Sequence, residues 1–202
     1  MAIFKFSNAG GFGTFQRYND FLAGNPAVIQ DAGAYFPLGE FTLASAQASI
    51  TFDNIPQTYK HLQIRGIARM NTTGNSWVRY KINNTDITNT DTTNANYWRH
   101  EVRGNGTSAV TESGGRNYAF LTIESTNLSS TYNAFVFDLL DYTNSNINKT
   151  VRTLSGYDLN GSGLVHLNSS QFRNTAAVTR IDLAPDVGSF AANSQFALYG
   201  IL

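Results

Sequence analysis

The chain of 202 residues contains no cysteine, so neither a disulfide framework nor a thiolate metal site holds its fold together. It is also poor in charge, because Asp, Glu, Lys and Arg make up only 14% of the residues and the formal net charge is zero. A general nucleic-acid-binding protein needs a positive field that neutralises phosphates. We therefore expect no nucleic-acid partner.

Long apolar runs are also missing from the sequence. No stretch approaches the roughly 18 to 20 apolar residues of a membrane-spanning helix. The first eight residues lack the basic segment and the long apolar run of a secretory signal. These two features predict a soluble protein that is made in the cytoplasm and has no membrane partner.

Short segments that alternate apolar and polar residues recur from about residue 41 onward. In residues 60–69, for example, Leu62, Ile64 and Ala68 fall on one face of a strand, and mainly polar residues fall on the other. A period of two predicts strands with one buried and one wet side. Eight or nine strands are predicted, at residues 41–52, 60–69, 77–83, 118–124, 134–140, 150–157, 164–168, 178–183 and 195–202.

The connecting segments support this interpretation. Glycine and asparagine, which tolerate turn conformations, cluster at residues 71–75, 113–117, 144–146 and 160–163, and residues 83–96 form a longer polar loop. No capped helix with a 3.6-residue period can be written. The sequence predicts an all-β fold, an antiparallel, jelly-roll-like β-sandwich at residues 41–202 behind an extended N-terminal arm at residues 1–40.

The arm is rich in aromatic residues that are interleaved with glycine. Rings favour burial, so an arm of this composition needs a surface to lie on. That surface is either the arm's own sandwich or a neighbouring subunit, and we favour the neighbour. The arm residues predicted to make assembly contacts are Phe4, Phe6, Phe12, Phe15, Tyr18 and Phe21.

No catalytic constellation emerges from the sequence. His61, His100 and His166 lie in strand-like segments without a nucleophile motif, and we expect them to face solvent or to lie at strand edges. Glu101, Asp138 and Asp141 offer carboxylates for glycoside hydrolysis, but their spacing alone does not indicate a pair. We expect Asp138 to be a structural carboxylate on the outward side or at the end of its strand.

Neither a metal nor a cofactor is predicted. Residues 86–91 are rich in oxygen ligands but lack the glycine and the bidentate glutamate of an EF-hand loop. Tyr97, Trp98 and Arg99 are the residue types that stack on a sugar ring or anchor a subunit interface, and we favour the interface.

Three segments carry a resemblance. Residues 52–65 read Phe-Asp-Asn-Ile-Pro-Gln-Thr-Tyr-Lys-His-Leu-Gln-Ile-Arg, the chain closes with Ser-Gln-Phe-Ala-Leu-Tyr-Gly-Ile-Leu, and residues 6–12 read Phe-Ser-Asn-Ala-Gly-Gly-Phe. The first two resemble segments of small β-sandwich virion structural proteins of tailed phages, and the third resembles the start of structural proteins from phages of aquatic bacteria. Physically they describe a fold: Tyr59 and Leu62 should pack inward, and Gly200 should allow a close approach to the last strand.

The resemblance implies a place on a phage particle and a chain made in the host cytoplasm. The leading hypothesis is a capsid decoration or cement protein, a homotrimer whose arm crosses the major capsid protein. The alternative is a tail-fibre, baseplate or head-fibre protein that binds host-surface glycan through Trp98 and the polar loop. A polysaccharide-degrading enzyme is disfavoured, because the chain has neither the length nor the repeats of such scaffolds, and we expect no enzymatic activity.

Overall fold

A computed structural model describes residues 34–72, 75–83, 96–116, 118–125 and 130–202. The secondary structure of these residues consists of strands joined by turns and loops, which confirms the all-β prediction. The strands are β1 (Tyr35–Thr42), β2 (Ile50–Phe52), β3 (His61–Ala68), β4 (Asn75–Ile82), β5 (Tyr97–Gly104), β6 (Ala109–Arg116), β7 (Ala119–Ser125), β8 (Asn133–Leu139), β9 (Lys149–Asp158), β10 (Gly163–Phe172), β11 (Ile181–Pro185) and β12 (Gln195–Ile201).

The strands form two antiparallel sheets. The large sheet has eight strands in the order β1-β12-β3-β8-β9-β10-β5-β6, and the small sheet has four in the order β2-β11-β4-β7. When the hairpins β5–β6 and β9–β10 are set aside, each successive strand crosses to the opposite sheet, except that β4 is followed by its own neighbour β7 in the small sheet. That winding is a jelly roll of eight strands. The two hairpins extend one of its sheets and make that sheet twice as wide as the other.

The core lies between the sheets and is built from aromatic contacts. Tyr80 of β4 meets Phe137 of β8 edge to face, with ring centroids 5.0 Å apart, and Tyr97 of β5 at 5.8 Å. Phe190 and Phe196 pack in the same manner at 4.8 Å. Such edge-to-face pairs add about 0.5–1.5 kcal/mol each to the burial of their rings.

The residues behind the resemblance occupy structural positions. Leu62 is fully buried and Tyr59 packs against the core, as expected. The ring of Tyr59 covers Gly200, so that a β-carbon at position 200 would collide with it. The predicted close approach at Gly200 is therefore confirmed, and a ring from the loop before β3 makes it.

Several predicted boundaries were wrong. Residues 41–52 contain the end of β1 and the whole of β2 rather than one strand, and β5 and β6 were missed. In β5 the apolar Trp98 and Val102 point outward while charged residues point inward, which inverts the usual pattern. Residues 113–116 were predicted as a turn but belong to β6, which is an edge strand where glycines are tolerated.

The first strand begins within the segment that the sequence analysis assigned to the arm. β1 pairs with β12 from Tyr35 to Thr42, with an irregularity between Pro37 and Gly39. Residues 35–40 are therefore part of the large sheet. No helix in the described ranges has the length and apolar character needed to cross a membrane.

Candidate functional site

The outer face of the large sheet is the face turned away from the small sheet, and it carries a continuous row of apolar side chains. Leu154 of β9 is the cross-strand partner of Leu167 of β10. On the next strands outward, Leu167 is paired with Val102 of β5, and Leu154 is paired with Val136 of β8. Leu154 is 52% exposed and Leu167 is 49% exposed. Single exposed apolar residues are common, but a contiguous row is a candidate surface for binding a partner.

Two further apolar residues widen this row. Val165 lies on β10, two residues from Leu167, and Ile67 lies on β3. Both side chains are on the outer face and exposed. The strand partner of Val165 is Gly156, so the valine has no side chain opposite it on β9. We call the six residues together the apolar patch: Val102, Leu154, Leu167, Val136, Val165 and Ile67.

A row of polar residues runs beside the apolar patch. Its members, in strand order from β5 to β12, are His100, Ser169, Arg152, Asp138, Gln63 and Tyr199. The Gln63 side-chain amide donates a hydrogen bond to Asp138 at 2.6 Å. Asp138 is therefore a structural carboxylate on the outward side of its strand, as expected.

Aromatic rings and a guanidinium lie at the β1 end of this face. The Arg65 guanidinium lies 4.8 Å from the ring centre of Tyr35 and 5.9 Å from that of Tyr199. A hollow of about 450 Å³ opens beside them, above the small side chain of Ala197. This end of the face offers aromatic and polar groups to a ligand or a partner.

Tyr97, Trp98 and Arg99 alternate between the two faces of β5. Tyr97 is buried, stacks on Phe172 with centroids 4.9 Å apart, and accepts a hydrogen bond from the Ile82 amide. Arg99 is also buried. Trp98 is 40% exposed, with the Arg173 guanidinium 5.1 Å from its ring centre. Of these three side chains, only Trp98 is open to a partner.

The arm residues of the predicted interface are not among the described residues. These are Phe4, Phe6, Phe12, Phe15, Tyr18 and Phe21.

The inner face of β5, β6 and β10 holds ionisable side chains that the sequence analysis did not single out as a group. We call them the charge cluster: Arg99, Glu101, Arg103, Glu112 and His166. Arg99, Glu101 and His166 are buried, and Glu112 is exposed. Arg99 donates to Glu101, Arg103 donates to Glu112 at 2.5 Å, and His166 Nε2 lies 3.4 Å from Glu101 Oε2. The spacing Arg-x-Glu-x-Arg places three of these charges on one face of a strand. A charged face is normally expected to be exposed to solvent.

Aromatic rings enclose the cluster. The Arg99 guanidinium lies 4.8 Å from the ring centre of Phe120, and that of Arg103 lies 5.3 Å from the ring centre of Trp77. The Trp77 ring also contacts His166 edge to face. These contacts keep water from the Arg99–Glu101 pair, which strengthens that pair but would make either charge costly if it were unpaired.

The cluster holds Glu101 in its ionised form. Burial by itself would raise the pKa of Glu101, but interaction with His166 and the charge of Arg99 outweigh burial, and the pKa lies below its ordinary value. Glu101 bridges Arg99 of its own strand and His166 of β10. Together with the Arg103–Glu112 pair, this arrangement links β5 to both of its neighbours, β6 and β10.

The expectation for the histidines was wrong for one of the three. His166 is fully buried, and neither ring nitrogen makes a hydrogen bond within the described part of the chain. His100 is exposed on the outer face. His61 is partly buried and accepts a hydrogen bond from the Asp141 amide at 3.0 Å. His166 is buried because it packs against the inward-facing charged residues of β5. The alternation within β10 alone does not reveal this contact.

The three candidate carboxylates are not brought together. Glu101 lies inside, Asp138 lies on the outer face, and Asp141 follows β8 in a left-handed conformation with φ 47°. They form no pair of acids flanking a groove. Within the described ranges no three His, Asp or Glu side chains group as a metal site. Residues 86–91, weighed as a calcium loop, lie outside those ranges.

The outer face of the large sheet is therefore the surface best suited to bind a partner, and its chemistry is apolar at the centre and polar on one side. Comparison of the chain with protein-family models, with curated proteins and with solved structures finds no match.

Proposed function

We propose that this protein is a structural protein of a tailed-phage particle that decorates or cements the capsid. The observation that carries the proposal is the apolar patch, a contiguous apolar surface left open on a folded sandwich. Such a surface is typical of proteins that work by contact with other proteins. The phage context rests on the resemblance of residues 52–65 and 194–202, which form a turn, a core strand and the closing strand of the jelly roll.

Capsid stabilisation by such a protein has a simple physical basis. Packed DNA loads the shell from inside, and a subunit that binds only the assembled shell shifts the equilibrium away from rupture. Symmetry repeats each small apolar contact over the whole particle. The proposed partners are the major capsid protein, reached by the aromatic arm that precedes β1, and other copies of the chain.

Immunogold labelling of purified virions tests the location. We expect label spread over the heads, and label on no part of the particle would overturn the proposal. Label confined to the tail tip would indicate that the protein acts in host adhesion instead of capsid decoration. Particles lacking the protein should also rupture at a lower temperature and recover when purified protein is added.

A second candidate function, binding of host-surface glycan, is favoured by one observation. Trp98 is exposed on the outer face, with Gln171 as its strand neighbour and Arg173 against its ring. An exposed indole flanked by hydrogen-bonding groups suits stacking against a sugar ring. Binding to host envelope polysaccharide that is lost in Trp98→Ala and kept in Tyr35→Ala would support this function. Equal binding by both variants would exclude Trp98 as the site.

A further inference from the structure

We propose that two copies of this chain pack face to face through the outer faces of their large sheets, related by a twofold axis that runs along the strands between β9 and β10. This pairing goes beyond the proposed function, because it is a property of the isolated protein. It assigns a single occupant, a second copy, to the apolar patch.

The register of the sheet makes the apolar row self-complementary. The four apolar residues of the row occupy β5, β10, β9 and β8, in that order, so the midpoint of the row lies between β9 and β10. A twofold axis at that midpoint reverses the row. Leu167 then lies opposite Leu154 of the second copy, and Val102 lies opposite Val136 of the second copy. Each apolar side chain faces another apolar side chain.

The same axis matches shape on one side of the row. Val165 of β10 comes to lie opposite Gly156 of the second copy, because these two residues are direct strand partners across the axis. Val165 is 60% exposed and stands above the sheet, whereas Gly156 has no side chain. An exposed valine therefore meets a residue without a side chain, twice in each dimer, as symmetry requires.

Charge is matched in the polar row. His100 of β5 lies opposite Asp138 of the second copy, and Ser169 lies opposite Arg152 of the second copy. In this row the axis brings no two like charges together. Stacked sheets lie about 10 Å apart and cross at about 30°, so the register holds best near the axis, where these residues lie.

The area is sufficient for a stable dimer. With the axis between β9 and β10, six strands of each copy overlap, from β6 to β3. Six strands spaced at about 4.8 Å, each about 26 Å long, cover roughly 750 Å² of each face. A standard specific interface buries about 800 Å² per partner. β12 and β1 remain outside the overlap, so the start of the described chain is not enclosed. The expected homotrimer would need a different surface.

Sedimentation equilibrium of the full chain tests the pairing. We expect a mass twice that of the 22.1 kDa chain, and loss of the dimer in Leu154→Asp and in Leu167→Asp, because each substitution places a charge opposite leucine. Val187→Asp is the matched control, since Val187 is an equally exposed aliphatic residue outside the large sheet. Circular dichroism checks that each variant folds. A monomeric or trimeric wild type, or a Leu154→Asp dimer, would overturn the proposal.

Cross-linking tests the axis itself. Because the chain has no cysteine, His100→Cys and Asp138→Cys each carry one thiol, and a bismaleimide that spans about 10 Å matches the gap between stacked sheets. The mixture of the two variants should cross-link far more than either variant alone. A dimer without this preference would refute the assigned axis. A monomeric wild type would overturn the dimer but not the proposed capsid function. Virions without immunogold label would overturn the capsid function but not the dimer.

Discussion

Glu101 of β5 and His166 of β10 lie side by side inside the sandwich, with carboxylate Oε2 and imidazole Nε2 3.4 Å apart and both side chains fully buried. Arg99 pairs with the same Oε2 of Glu101, and Arg103 lies 3.4 Å from the other oxygen, Oε1. A buried carboxylate of this kind is retained only because positive groups surround it. Its removal leaves two guanidinium groups with one fewer partner in an enclosed site.

We therefore expect Glu101→Gln to lower the free energy of unfolding by about 3 kcal/mol, the lower end of the range for breaking a buried ion pair. Urea denaturation measures the change. Glu112→Gln is the matched control, because Glu112 pairs with the same arginines but its side chain is 41% exposed. It should cost no more than about 1 kcal/mol. Equal costs for the two variants would contradict the assigned burial.

Glu101 also predicts sensitivity to acid. Its pKa in the folded protein lies below the ordinary value of 4.5, so the unfolded chain takes up the proton first as the pH falls. The stabilisation is fully present above about pH 4.5 and is lost as the pH falls through the lower, folded pKa. Unfolding free energy measured from about pH 6 to pH 3 should fall more steeply for the wild type than for Glu101→Gln. Parallel curves would refute the linkage.

Gly200→Ala should destabilise the closing strand. An added β-carbon would lie against the ring of Tyr59, and overpacking of this kind costs about 1–3 kcal/mol. Gly114→Ala is the control in the same sheet, since nothing lies within 4 Å of a β-carbon there. Thermal unfolding should separate the two variants. If Gly200→Ala behaves like Gly114→Ala, Tyr59 does not hold the position described.

Asn83 should stabilise the fold through the hydrogen bonds of its side chain as well as through its backbone conformation. Its φ is 53°, its side-chain oxygen accepts hydrogen bonds from the Thr179 and Arg180 amides, and its amide donates to the Ala177 carbonyl. Asn83→Gly keeps the conformation but removes these bonds, and we expect a loss of about 1–3 kcal/mol.

Asn160 is the control for this prediction. It has a similar φ of 58° in the turn between β9 and β10, where its backbone amide donates to Asp158. Asn160→Gly should change the unfolding free energy by less than about 0.5 kcal/mol. Chemical denaturation of both variants measures the difference in unfolding free energy. Losses of equal size would show that the side-chain hydrogen bonds of Asn83 add no stability beyond that of its backbone conformation.

Strands with regular alternation were predictable, and strands with inverted alternation were not. β3 was found because Leu62, Ile64 and Ala68 all face the core. β5 was missed because Trp98 and Val102 face outward while Arg99 and Glu101 are buried. A charge enters the interior only when partners from other strands accompany it, and one strand's sequence does not contain those partners.

The sequence by itself determined that the protein is built of strands, where turns such as those at residues 144–146 and 160–163 lie, and that neither disulfides nor thiolate metal sites hold it together. These properties follow from alternation, turn residues and composition, which act over a few neighbouring residues. Only the tertiary structure decided which strands are neighbours. Val102, Leu167, Leu154 and Val136 come from four strands and become one apolar row only through their register, and His166 reaches Glu101 only because β10 pairs with β5. Strand order depends on contacts between residues far apart in the chain, and no local pattern encodes it.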